Sequence, residues 1–173
     1  MAILGKKIIF SIRRQALLIF VIFLSICQPL VINAIEENLI IKSEAINPGS
    51  FYYSFKRLWE KGLERVQFSK QSKINFYQSQ LKTRLAELNY VVERRLLSKV
   101  QTSSERFAYQ AGVLAEEVKV QNKTEEKQNL IKQFGVYSNF LAVLRDNYPA
   151  NTSFWMLVQH DINSLNILSD QLK

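Results

Sequence analysis

From residue 74 to residue 96, apolar side chains return at every third or fourth position: Ile74, Tyr77, Leu81, Leu85, Leu88, Val92 and Leu96. That period places them on one side of an α-helix and on both sides of a strand, so the segment can bury its apolar groups together only as a helix. Four further segments carry the same pattern. Tyr52, Phe55, Trp59, Leu63 and Val66 form the first stripe; Phe107, Ala111, Leu114 and Val118 the third. Leu130, Phe134, Tyr137, Leu141, Leu144 and Tyr148 form the fourth, and Phe154, Val158, Ile162, Leu165, Leu168 and Leu172 the fifth. No segment alternates with period two. The stripes predict an all-α bundle of about five helices, mostly antiparallel, over residues 48 to 173.

Boundary residues fit this division. Ser50 stands ready to cap the first helix after the Pro48–Gly49 turn, and Pro149 stops the fourth, with Asn151 or Thr152 capping the fifth. Thr102 with Glu105, and Asn122 with Glu125, have capping-box spacing. Only "QNKT" separates the third and fourth stripes, so residues 105 to 147 read either as one bent helix or as two.

The first 34 residues read differently. A basic stretch (Lys6, Lys7, Arg13, Arg14) precedes the apolar run "ALLIFVIFLSIC", and "VINA" then gives way to Glu36 and Glu37. This is the order of a secretory signal peptide with a cleavage point after Ala34. Residues 16 to 35 also approach the ~20 needed to span a bilayer, so an uncleaved anchor is the alternative; in both cases the basic flank leaves the body outside. Residues 35 to 47 form a tether. The formal charge of +8 shrinks once the leader is set aside, leaving 19 basic against 15 acidic residues, well mixed. That balance does not point to nucleic acid as a partner.

Little in the body suggests catalysis. Cys27 is the sole cysteine and falls within the leader, where a lipoprotein cysteine would sit, but Ile26 before it is not the usual small residue. His160 has Leu157 three residues before it, so the Glu-x-x-His pair of helical metal sites is missing, and no metal or other cofactor is expected. No phosphate-binding glycine loop or nucleophile elbow occurs, and the sequence does not read as an enzyme. The binding candidates are Phe51 and Tyr53, which fall off the first stripe, and the adjacent Arg94 and Arg95.

Two short stretches resemble a known family. "PGSFYYSFKRLWEK" is similar to the opening of the bacterial family catalogued as domain of unknown function 5667: a Pro48–Gly49 turn, the aromatic Tyr52, the basic pair Lys56 and Arg57, then Glu60. "RLAEL" (Arg84, Leu85, Ala86, Glu87, Leu88) resembles its second-helix motif. The resemblance implies an exported helical domain from about residue 46 onward, without an assigned activity.

The reading is an exported, non-catalytic helical interaction module of the cell envelope, membrane-anchored or secreted, with an envelope protein as partner. The alternative is an extracytoplasmic domain binding an anionic polymer or glycan through its off-stripe aromatics and arginines. One geometric expectation is specific. Counted outward from residues 69–71, the first two stripes step in register, which predicts an αα-hairpin with Trp59 against Leu81 and Phe55 against Leu85.

Overall fold

The computed structural model describes residues 44–173; the leader and residues 35 to 43 of the tether lie outside the described residues. Five helices follow one another: α1 (Tyr53–Arg65), α2 (Lys70–Glu93), α3 (Leu97–Gln121), α4 (Thr124–Arg145) and α5 (Ser153–Leu172). No strand occurs among the described residues. The protein is an all-α bundle.

Helices α2 and α3 form an antiparallel pair. Gln121 at the end of α3 donates to the carbonyl of Lys70 at the start of α2, 2.9 Å away. Helices α4 and α5 form a second pair, closed by Arg145 Nη1 on Gln159 Oε1 at 2.5 Å and by the rings of Tyr148 and Phe154, 5.5 Å apart. The pairs join where α5 packs along α3, whereas α4 only touches α3, so neighbours run α2–α3–α5–α4. One core links them. Leu81, Leu85 and Leu88 of α2 meet Phe107, Leu114 and Val118 of α3, Leu130, Phe134 and Leu141 of α4, and Val158 and Leu165 of α5. All are removed from solvent.

The break in the third and fourth stripes is real. Asn122 adopts the left-handed conformation (φ 51°) as the C-cap of α3, and α4 begins two residues later. Asparagine tolerates that conformation better than most residues. Thr152 caps α5 by accepting from the backbone N–H of Trp155, and Ser69 caps α2 in a reciprocal box with Ser72. Other boundaries differ from the sequence expectation. Ser50 offers its backbone carbonyl to Tyr53 but no side-chain cap, and α1 starts uncapped after Tyr52. Thr102 lies inside α3, because α2 ends early at Glu93 and Arg95 turns the chain with φ 52°. No glycine or proline announces that turn.

The larger correction concerns α1. Phe55 and Trp59 do not meet Leu85 and Leu81: they are 68% and 54% exposed. The stripe is on a helix, as expected, but that face points away from the body. Tyr53, expected to be exposed, is buried instead, together with Glu60.

Candidate functional site

Helix α1 has two opposed faces. At ~100° per residue, Leu58, Phe55, Val66, Trp59 and Tyr52 fall within an arc of about 120°. Phe51, just before the helix, falls on the same side, and its ring meets Tyr52 edge-on at 5.6 Å. Tyr53, Lys56 and Glu60 occupy the reverse side. The chain is aimed into this helix by a turn in which Ser50 N–H bonds to the Asn47 carbonyl at 3.1 Å, with Pro48 and Gly49 at the central positions. Gly49 has φ 101°, the left-handed value that the third residue of a type II turn requires.

The reverse face is a buried ion network. Arg84 of α2, 2% exposed, grips both oxygens of Glu87 through Nη1 at 2.8 and 2.7 Å. Its Nη2 binds Glu60 of α1 and reaches Gln80 Oε1 at 2.9 Å. Glu87 in turn accepts from Lys56 Nζ at 2.8 Å and from the Tyr53 hydroxyl at 2.8 Å. Lys56 also holds Glu44 and the Ile46 carbonyl, at 3.2 and 3.1 Å, so the end of the tether is fastened too. From α3, Arg106 donates to the Tyr53 oxygen at 2.9 Å and lies over its ring.

Charge states follow from these neighbours. Burial alone would raise the Glu87 carboxyl, but Arg84 beside it and the bonds from Lys56 hold it below the usual carboxylate range. Burial works against the Arg84 cation, and Glu87 and Glu60 more than offset that, so its pKa is raised. The Tyr53 phenol is pushed up to about 12, first by burial and then by Glu87. Removing one partner from such a set leaves a buried charge uncompensated, at a cost of about 3–5 kcal/mol.

This network joins the two sequence stretches singled out above. Lys56, Arg57 and Glu60 come from the first, Arg84 and Glu87 from the second, and Arg57 adds a 3.3 Å contact to Glu60. Their shared place in the fold is the fastening of α1 to α2. Because long charged side chains span the gap, the backbone of α1 approaches the other helices little.

The four sequence-predicted binding residues occupy separate surroundings. Phe51 is exposed at the front of α1, and Tyr53 is enclosed in the network. Arg94 lies over the Tyr90 ring at 5.4 Å, and Arg95 forms the left-handed turn between α2 and α3. A shallow hollow of about 500 Å³ opens elsewhere, lined by Tyr77, Tyr109, Val113, Glu116 and Glu117. Its acids would repel an anionic polymer. Among the described residues no three His, Cys, Asp or Glu side chains group as a metal site.

One buried acid stands apart. Asp161 of α5 is fully enclosed, and neither carboxylate oxygen has a hydrogen-bond partner within normal geometry. Burial pushes it up to about 8, and only the nearby Ser104 hydroxyl of α3 pulls the other way. Among the described residues, no helix is long and apolar enough to cross a membrane.

Among known families, the one described as "Domain of unknown function (DUF5667)" matches residues 45–137, more than half of the chain. The match takes in α1, α2, α3 and α4 as far as Tyr137, and so includes every member of the ion network except Glu44. No curated protein and no solved structure matches.

Proposed function

The chain belongs to the DUF5667 family, and we propose that it works as an exported, non-catalytic interaction module of the cell envelope that docks through α1. The observation that carries this reading is the orientation of α1. Its aromatic and aliphatic side chains face solvent, with Phe55 and Leu58 68% and 69% exposed. On the reverse face, Lys56 and Glu60 are consumed by the internal network. An isolated exposed leucine means nothing, whereas a run of large apolar groups along one helix face marks an association surface. Export is supported by the basic flank and apolar run of residues 6 to 35.

Two arms test the reading. A reporter active only in the cytoplasm, fused after Lys173, should stay silent; a strong signal overturns export. A photo-crosslinking residue at Leu58 should form adducts in intact cells, while one at Ile167, exposed on α5, should not. Equal and low yields at both positions overturn docking through α1.

A further inference from the structure

We infer that the apolar face of α1 rests on an anionic lipid bilayer, parallel to its surface; this builds on the export and docking reading above. Three observations favour lipid over a protein occupant.

The composition of the face suits the interface. Tyr52, Phe55, Leu58 and Trp59 lie on one arc, with Phe51 before them, and aromatic side chains of this kind settle at headgroup depth. Lys61 and Arg65 are exposed and adjoin the Leu58 edge of that arc. Cations so placed reach anionic headgroups while the rings enter the acyl boundary.

The chain also limits where α1 can be. The apolar run ends at residue 35, and Glu44 is ion-paired to Lys56 on α1. The intervening residues, 36 to 44, span at most about 30 Å when fully extended. With that run retained as an uncleaved anchor, the bilayer it enters is within constant reach of α1, at a high effective concentration.

Size supplies the third argument. A 13-residue helix is about 20 Å long and roughly 10 Å wide. That footprint is far below the ~800 Å² per partner of a stable protein interface, so a second copy of this chain would not be held by α1 alone. A tethered helix needs only modest affinity for a surface that is always near.

The test uses the full chain with Cys27→Ser and Phe55→Cys. Because the body has no cysteine, a thiol-reactive, environment-sensitive fluorophore then reports from residue 55 alone. The protein is placed in phosphatidylcholine vesicles with and without phosphatidylglycerol. In the anionic vesicles the label should shift to the blue and be quenched severalfold by acyl-chain spin labels, and Lys61→Glu with Arg65→Glu should reverse this. The same label on Ile167→Cys should remain in water. A residue-55 label as accessible to aqueous iodide as the residue-167 label overturns the inference. A label shielded from iodide yet untouched by lipid spin labels also overturns it, and assigns the face to a protein while leaving docking through α1 in place.

Discussion

Replacing Asp161 by asparagine should stabilise the domain at neutral pH, and the gain should vanish in mild acid. An aspartate ordinarily titrates near 3.9, and in the folded protein Asp161 is raised to about 8. Between those values the folded state holds a proton that the unfolded state lacks. Folding is therefore favoured by acid: the contribution is fully present below about pH 4 and is lost as pH rises through about 8. At pH 7 the unfolded carboxyl is about three units above its own pKa. At 1.36 kcal/mol per unit, keeping the folded one protonated costs roughly 4 kcal/mol. Asparagine keeps the size and removes the titration, but leaves an amide short of partners, which costs ~1–3 kcal/mol. The net gain at pH 7 is then about 1–3 kcal/mol, a substantial fraction of the stability of one small domain. The assay is urea unfolding of residues 39–173, a compact unit, followed by circular dichroism at pH 5 and pH 8. Wild type should be weaker at pH 8 by several kcal/mol, and Asp161→Asn should be nearly level. Glu87, whose pKa is depressed, acts in the opposite direction but only at lower pH, below the ordinary carboxylate range. A wild type that is flat from pH 5 to 8, with a variant no more stable, would refute the buried protonated acid.

Three other outcomes follow from the same contacts. Arg84→Met takes the buried guanidinium from Glu60 and Glu87, leaving them Arg57 and Lys56 as their cations, and should cost about 3–5 kcal/mol in the same urea titration. Phe55→Ala should change stability by no more than ~0.5 kcal/mol, whereas Tyr53→Phe, which breaks the bond to charged Glu87, should cost about 1.5–3 kcal/mol; thermal melts rank them. Gly49→Ala forces a side chain into a left-handed backbone at a cost on the order of 1–2 kcal/mol, read as faster amide exchange at Ser50 and Tyr53.

Much of the architecture is legible in the apolar period, and the misses have identifiable causes. The stripes of α2 to α5 predict the buried faces because each helix has other helices of comparable length to lie against. Period alone is silent about which face of a short helix meets the body. On α1 that choice rests with charge: Lys56 and Glu60, one turn apart, complement Glu87 and Arg84, three apart on α2. The signal was present in "RLAEL", where two opposite charges sit inside an apolar stretch. Every residue from Arg84 to Leu88 is buried, and a helix buried all round has partners on more than one side. Those partners are α3 on one side and the polar face of α1 on another. The turn at Arg95 was illegible for a different reason, since a non-glycine residue in the left-handed region leaves no mark in composition.

Why α1 should be fastened by charges rather than by its rings can be argued, and tested. A buried ion network contributes little net stability, because desolvation roughly offsets attraction. What it does contribute is orientation: rolling α1 by half a turn would bury the aromatic arc but take Glu60 from Arg84 and Lys56 and Tyr53 from Glu87, leaving that almost fully enclosed pair only each other and Gln80. Each large apolar group gained is worth ~1.5–3 kcal/mol, so the inward-facing arrangement is a competitor that only the loss of those partners excludes. Removing all four charges together, as Lys56→Met, Glu60→Leu, Arg84→Met and Glu87→Leu, lifts that exclusion while retaining apolar volume. In this variant α1 should roll and turn its rings onto α2. With Phe55→Cys added to residues 39–173, the thiol should react with a water-soluble maleimide more than tenfold more slowly than in the charged protein, with helical content unchanged. A thiol that reacts equally fast in both would mean that something other than the network aims the face outward.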